Sequence, residues 1–246
     1  MRIRFVTWAL ATLLLGAAPT FANGASFNFN FGGPDTPLGT SQSYISNGAT
    51  ITANGYVCSA TDSTSSATLS HCRATNLFAK SDGPNETGLG LAGQGNGENE
   101  IGFDGTSADY VIGLDVSSLF NLGATSMTLS FGSVQPGEAY AILGYGSDPF
   151  LNSSFTLTNT QAWVGNDGST SAQVFSSTIS LNANDQFLVF ISPCGASLNP
   201  PPCGSNMTLD SLASSPTPEP GTLVLLGSGL LLVGFGMRRR FVSHSA

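Results

Sequence analysis

Positively charged residues are scarce in this chain. Of its 246 residues, 7 are lysine or arginine and 15 are aspartate or glutamate. Between residues 23 and 217 the only basic residues are Arg73 and Lys80, whereas every acidic residue except Glu219 lies there. Nucleic acids and anionic membrane surfaces are bound by clustered lysine or arginine. The composition therefore argues against both ligand classes and leaves cation binding or simple solubility.

Histidine and catalytic motifs are also scarce. His71 is the single histidine between residues 23 and 217, so a Ser-His-Asp arrangement would have to use it. No G-x-S-x-G element occurs in the chain. Glu98 and Glu100 would share one face of a strand, as the paired carboxylates of a glycosidase require, but acidic β-proteins commonly contain such pairs. We therefore expect a protein that is not an enzyme.

The N-terminus has the three parts of a secretory signal peptide. Arg2 and Arg4 precede an apolar run over residues 5–18, and Thr20-Phe21-Ala22 supplies small side chains for cleavage. The sequence thus predicts a signal peptide at residues 1–22 and export by the secretion machinery. An exported chain meets an oxidising environment, which permits disulfides.

The C-terminus contains a second ordered signal. Pro218, Glu219 and Pro220 precede a largely apolar segment at 222–237, which three arginines follow at 238–240. A helix of that length measures about 24 Å, short of the roughly 30 Å hydrocarbon core. The arginines favour the cytoplasmic side of the membrane. We expect this helix to hold the chain in the membrane before processing, and a plain single-pass anchor is the alternative.

This order of Pro-Glu-Pro, short glycine-containing apolar segment, arginine cluster and chain end resembles the PEP-CTERM sorting domain. The resemblance implies that an exosortase-type membrane protease recognises Pro218, Glu219 and Pro220 and removes the tail at residues 218–246. It also implies an exported protein of the cell envelope, the surface or the extracellular matrix. The same C-terminal domain carries a name that refers to ice-binding proteins, which concerns the tail and is no evidence of ice binding.

The four cysteines form two pairs that are close in sequence, Cys58 with Cys72 and Cys194 with Cys203. In an exported chain this spacing predicts two local disulfides. Each would stabilise the fold by up to roughly 3 kcal/mol. Other connectivities remain open, and a zinc site is the functional alternative, although the spacings contain no Cys-x-x-Cys pair.

Short alternating or β-branched runs, separated by Gly, Asn, Asp, Ser and Pro, predict strands rather than helices. Without an internal repeat, these runs predict an all-β fold, a single β-sandwich or jelly roll, over residues 23–212. The Ser- and Pro-rich stretch at 213–217 is interpreted as a linker. The predicted strand regions are 27–31, 50–57, 109–116, 127–131, 139–145, 155–157, 174–181, 187–191 and 207–212.

An acidic, glycine-rich loop is predicted between Lys80 and Asp104. Its G-x-G-x-x-G at residues 88–93 lacks the following helix that a dinucleotide site needs. Lys80, Glu86, residues 88–91 and Glu100-Ile101 resemble a recurring phrase of some PEP-CTERM ectodomains. Carboxylates grouped in one loop suit calcium, and a solvated polar loop is the alternative. The candidate calcium ligands are Asp82, Glu86, Glu98, Glu100 and Asp104.

Aromatic side chains indicate a different ligand class. Jelly-roll sandwiches commonly bind glycans, and the sequence NMTLDSLAS at residues 206–214 resembles the closing strand of many such modules. Trp163 is the candidate glycan contact, and tyrosines would add stacking faces with a polar edge. The alternative is that most of these aromatics belong to the core. The tyrosines are Tyr44, Tyr56, Tyr110, Tyr140 and Tyr145.

Taken together, these features predict a non-enzymatic surface or extracellular-matrix protein that its C-terminal tail sorts. Its expected partners are the exosortase-type protease, the secretion machinery and, before processing, the membrane. The alternative function is a carbohydrate-binding jelly-roll module, assisted by calcium, whose partner is an extracellular polysaccharide. No other cofactor and no nucleic acid are expected.

Overall fold

The computed structural model describes residues 26–61, 68–93, 99–103, 108–135, 139–151, 154–156, 160–165, 173–191, 206–216 and 227–230. Strands dominate these segments, so the all-β class predicted from the sequence is confirmed. The described strands are β1 (Phe27–Asn30), β2 (Thr36–Pro37), β3 (Ser41–Ser46), β4 (Ala49–Thr61), β5 (Thr68–Ala74), β6 (Leu77–Ser81), β7 (Thr87–Leu91), β8 (Ile101–Phe103), β9 (Ala108–Asp115), β10 (Ala124–Val134), β11 (Ala139–Tyr145), β12 (Ser154–Thr156), β13 (Thr160–Gly165), β14 (Gln173–Ser180), β15 (Phe187–Ile191) and β16 (Asn206–Pro216).

Two short helical elements accompany these strands. Helix α1 (Ser117–Asn121) follows β9, and a single 3-10 turn (Pro149–Leu151) follows β11. Asn47 and Gly48 have φ angles of 48° and 86° and connect β3 to β4. Positive φ at both residues of a two-residue connection is the type I′ geometry, which matches the twist of the strands on either side.

The strands form one curled antiparallel sheet in which two groups of strands meet at β16. In the first group, β16 pairs with β1, β7 and β10, and the sheet continues to β6 and β2 on one side and to β14 on the other. The second group runs in the order β5, β4, β9, β15, β11, β13. The short strand β8 pairs with both β9 and β16 and so joins the groups.

The core lies on both faces of the second group. All five residues of β15 are buried: Leu188 and Phe190 belong to the large hydrophobic cluster, while Phe187, Val189 and Ile191 belong to a smaller cluster. Successive side chains of a strand point to opposite faces, so an unbroken apolar run is expected where both faces are covered. The sequence Phe-Leu-Val-Phe-Ile fulfils that requirement.

In the first group, β1, β14 and the first half of β10 have one buried and one polar face. In β1, Phe27 and Phe29 are buried while Asn28 and Asn30 are exposed. The same alternation continues in β10, where Met127 and Leu129 face the core. This period of two fixes which face of these strands meets solvent.

All nine predicted strand regions contain or overlap a strand, but the predicted linker at 213–217 is wrong for most of its length. Strand β16 extends to Pro216, and its residues Ala213 and Ser214 pair with β1. Ser214 Oγ also donates a hydrogen bond of 2.6 Å to the carbonyl oxygen of Ser126. Small polar residues are typical of a flexible spacer, which is why the sequence predicts a linker here. In the structure these residues pair with β1 on one side and β10 on the other, so they belong to the sheet. The compact unit accordingly spans residues 26–217.

Candidate functional site

Lys80 and Glu100 form a buried ion pair between β6 and the segment that precedes β8. Lys80 Nζ lies 2.5 Å from Glu100 Oε1 and 3.4 Å from Asp82 Oδ2. Ser133, in β10, donates a hydrogen bond of 2.5 Å from its hydroxyl to the same Glu100 oxygen. Lys80 is 5 % exposed and Glu100 is 1 % exposed. Charges are buried in proteins when they are paired, so this contact holds three segments of the chain together.

The electrostatics of the pair keep Lys80 charged. Burial by itself lowers the pKa of Lys80, but the hydrogen bond to Glu100 and the negative charges of Glu100, Asp82 and Glu86 outweigh it. The pKa of Lys80 therefore lies above its ordinary value of 10.5. The ammonium group of Lys80 is thus a positive charge, supplied by the chain itself, that interacts with the carboxylates of Glu100, Asp82 and Glu86.

In the sequence, Lys80 and Glu100 belong to one recurring motif, whereas no sequence pattern predicted a role for Ser133. Ser133 has a φ of 61°, and its N–H donates a 2.6 Å hydrogen bond to the carbonyl of Asn85 in the β6–β7 turn. A serine within the sequence Phe-Gly-Ser-Val carries no signal for this role, because the contact depends on where β10 passes the turn.

Gly88 and Gly90 lie within strand β7, so the prediction that they belong to a loop is wrong. A Cβ at Gly88 would come within 2.6 Å of the carbonyl oxygen of Leu209, and one at Gly90 would collide with the backbone of Asn99 and Glu100. The alternating leucines, Leu89 and Leu91, are fully buried. The Gly-Leu-Gly-Leu sequence is therefore explained by backbone crossing one face of β7 closely and core packing on the other.

The predicted calcium ligands are only partly described. Glu100 faces Lys80, and Asp82 and Glu86 lie in the β6–β7 turn, where the Asp82 N–H donates a 3.1 Å hydrogen bond to the Glu86 carbonyl. Glu98 and Asp104 lie outside the described residues. Within the described segments, no three His, Cys, Asp or Glu side chains are grouped so as to hold a metal. Calcium binding stays a prediction.

The first predicted disulfide is confirmed. Cys58 and Cys72 are bonded, with their Cα atoms 4.0 Å apart, and link the neighbouring strands β4 and β5. Cys58 is buried in the smaller hydrophobic cluster. Cys194 and Cys203 lie outside the described residues, so their pairing stays a prediction.

The tyrosines pack against the core, in agreement with the alternative interpretation of these aromatics. Tyr140 is buried, and the other four are partly buried against one of the two hydrophobic clusters. The Tyr56 ring stacks on Phe150 with a centroid separation of 3.8 Å. Trp163 lies in β13 with its backbone opposite Ala141, and the glycan contact predicted for its side chain stays a prediction.

A polar face free of basic side chains extends across β14, β10, β16 and β1. The register places Thr178, Thr128, Ala213 and Asn28 in one row. The neighbouring row contains Ser176, Ser130, Ser211 and Asn30. Hydroxyl pairs lie 2.9 Å apart at Thr128 and Thr178 and 3.0 Å apart at Ser130 and Ser176.

A shallow depression of about 320 Å³ adjoins these rows. Its polar lining comes from the ends of the rows on β1 and β16. The lining residues are Asn28, Phe29, Asn30, Asp210, Ser211, Leu212 and Ala213.

Little of the C-terminal tail is described. Residues 227–230 are helical, while Pro218, Glu219 and Pro220 lie outside the described residues. Over the part of the chain that is described, no helix has the length and apolar character needed to cross a membrane.

Comparison with known proteins identifies the tail. The family model described as the PEP-CTERM protein-sorting motif matches residues 216–240. The resemblance stated from the sequence is therefore confirmed: the chain carries a PEP-CTERM sorting motif, which implies an exported, envelope-associated protein and recognition by exosortase-type processing. No curated protein sequence matches the chain.

Two solved structures show a distant similarity. One is the K1 cleaved adhesin domain of Lys-gingipain from Porphyromonas gingivalis W83, with 11 % identity over 78 % of this chain and 95 % of that chain, and a TM-score of 0.32. The other is the K2 cleaved adhesin domain of Lys-gingipain, with 14 % identity over 78 % and 96 % of the two chains and a TM-score of 0.28. TM-scores this low do not establish a shared fold.

Proposed function

We propose that this protein is a non-enzymatic structural or adhesive protein of the cell surface or extracellular matrix, whose sandwich-type β-domain is delivered by its PEP-CTERM tail. The observation that carries the proposal is the sorting motif at residues 216–240. The acidic region supports it as well, because its buried carboxylate contacts Lys80 and Ser133 of the chain itself, an arrangement that holds three segments of the chain together.

The test of the sorting role is a substitution in the motif. Glu219→Ala is expected to leave an unprocessed, membrane-retained chain in a host that has the sorting protease. Ser215→Ala, at an exposed position shortly before the motif, is the matched control and should be processed as the wild type is. Mass spectrometry and cell fractionation give the readout. Identical mass and location of wild type and the Glu219 variant would refute the proposal.

The second candidate function is binding of an extracellular polysaccharide. It is favoured by the depression beside the hydroxyl rows, where Asn28 and Asn30 supply amide groups. A volume of about 320 Å³ is at the lower limit for small-ligand sites. Hydroxyl and amide side chains match the donors and acceptors of a neutral sugar.

A polysaccharide pull-down with the full chain discriminates the two functions. Asn28→Ala should lower retention on the polysaccharide if the depression binds sugar, and Ser41→Ala, at an exposed position on β3, should not. Equal retention of both variants and of the wild type would exclude this site.

Calcium assistance is tested by running the pull-down and a thermal melt in chelator, in calcium and in magnesium. A calcium ion that binds only the folded chain raises stability by RT ln(1 + [L]/Kd), about 2.7 kcal/mol at a hundredfold excess over Kd. Magnesium should act less, because it requires strict octahedral geometry and retains its waters. Equal melting temperatures in all three conditions would remove calcium from the proposal.

A further inference from the structure

Strand β14 forms an edge of the described sheet. Among the described strands it pairs with β10 alone, and the register from Ser126–Ser180 to Phe131–Phe175 contains no bulge. Residues 174–180 contain no charged residue, proline or glycine. An edge strand presents unpaired backbone N–H and C=O groups, and proteins usually protect such an edge with lysine, proline or a bulge. This edge lacks all three protections over the six consecutive residues 175–180.

The edge is also complementary to itself. If two copies of β14 pair antiparallel about a twofold axis at Ser177, Phe175 of one copy lies opposite Ile179 of the other, and Ser176 lies opposite Thr178. Phe175 and Ile179 are on the inner face, where they contact the large hydrophobic cluster. Cross-strand pairs of an aromatic with a β-branched residue stabilise antiparallel sheets. The pairing would thus extend the core across the interface.

The outer face continues in the same way. Ser176 and Thr178 already pair with hydroxyls of β10 at 3.0 Å and 2.9 Å. The twofold register would place Ser176 of one copy beside Thr178 of the other, so both hydroxyl rows would run on into the second molecule. A register shifted by one residue would instead place Phe175 opposite a serine or threonine hydroxyl, which disfavours it.

Charge distribution favours this edge as the meeting point of two copies. The chain carries a formal net charge of −8, so copies repel each other over most of their surface. Residues 174–180 are uncharged. We propose that this protein self-associates by antiparallel pairing of β14 with β14 of a second copy, in the register centred on Ser177.

Cysteine cross-linking of the full chain in mild detergent tests the register. With Ser177→Cys, the two cysteines would face each other at a Cα separation of about 4.5 to 5.5 Å, within the range for a disulfide. Ser180→Cys is the matched control. The two copies of residue 180 would lie about 20 Å apart along the paired strands, at about 3.4 Å per residue. We expect at least about tenfold more disulfide-linked dimer for Ser177→Cys. Equal yields from the two variants would overturn the proposed register.

Charge variants test the interface without a covalent bond. Ser176→Lys combined with Thr178→Lys would place like charges opposite each other and should yield a monomer in sedimentation over a ~100-fold range of concentration. Ser176→Asp combined with Thr178→Lys would place opposite charges across the interface and should retain the dimer. Thermal melts check that both variants are folded. A wild type that stays monomeric, or two variants that behave alike, would overturn the proposal.

Discussion

At the scale of single residues, Lys80 shows how one cation organises an acidic region. Its ammonium group is buried with Glu100, and Asp82 lies 3.4 Å away at the surface. A buried pair of this kind is costly to form because both groups lose water, but it is far more costly to break on one side. We therefore expect replacement of one partner alone to destabilise the fold more than replacement of both partners.

Lys80→Met should lower the free energy of unfolding by about 3 to 5 kcal/mol, because Glu100 would remain buried without its cation. Chemical denaturation of the full chain measures the loss. Arg73→Met is the control: Arg73 is exposed, and its replacement should change stability by no more than about 0.5 kcal/mol. The double variant Lys80→Met with Glu100→Leu should recover much of the loss. A Lys80→Met variant as stable as the wild type would contradict the role of the pair.

At the scale of elements, strand β7 shows how packing selects the residues of a strand. Its alternating glycines and leucines satisfy two different neighbours, the backbone of β16 and of residues 99–100 on one face and the core on the other. Glycine is unfavourable in an isolated strand. The close approach of a second backbone is the reason that it is required here.

Gly90→Ala should destabilise the fold by about 2 kcal/mol or more, because the new methyl group would collide with backbone that cannot move as a side chain does. Gly39→Ala is the matched control, since a Cβ there would meet its nearest neighbour at an ordinary 3.7 Å. Urea unfolding of both variants gives the comparison. Equal unfolding midpoints would show that residues 99–100 do not pack on β7 as described.

The disulfide between β4 and β5 gives a second prediction for elements. Replacing Cys58 and Cys72 by alanine removes a cross-link that closes a sequence separation of 14 residues. The expected loss is about 3 kcal/mol in the free energy of unfolding. Guanidinium unfolding measures it. Reduction of the wild type should produce at least as large a loss, because it would also open the predicted disulfide between Cys194 and Cys203. A midpoint that neither treatment changes would contradict a stabilising role.

At the scale of the whole molecule, folding raises the pKa of several groups that titrate at high pH. Burial raises the pKa of Tyr44, Tyr56 and Tyr145 to about 12, with Asp148 adding to the effect at Tyr56. The pKa of Lys80 is raised as well. In each case the folded state binds the proton more tightly than the unfolded chain does.

Stability from these groups is therefore fully present below their unfolded pKa values, near 10 for tyrosine, and is lost as the pH rises toward about 12. The free energy of unfolding, measured by denaturant titration at each pH, should decline in this window. Tyr44→Phe removes one titrating hydroxyl and should make the decline shallower. A wild type that keeps its full stability through this window would contradict the prediction.

The sequence by itself determined the sorting motif, the all-β class, and the pairing of Cys58 with Cys72. These properties follow from local order: an apolar run and its flanking residues, a period of two, and two cysteines close in the chain. Strand β3, with the sequence Ser-Gln-Ser-Tyr-Ile-Ser, escaped prediction because most of its residues are small and polar.

Only the tertiary structure decided what the polar residues do. Residues 213–216 became part of a strand because β1 and β10 pair with them, and Gly88 and Gly90 became strand residues because other backbone segments pass close by. Ser133 reaches Glu100 from a strand 33 residues away in sequence. Such contacts join segments distant in the chain, and their energies depend on burial and distance, which no local pattern of residues specifies.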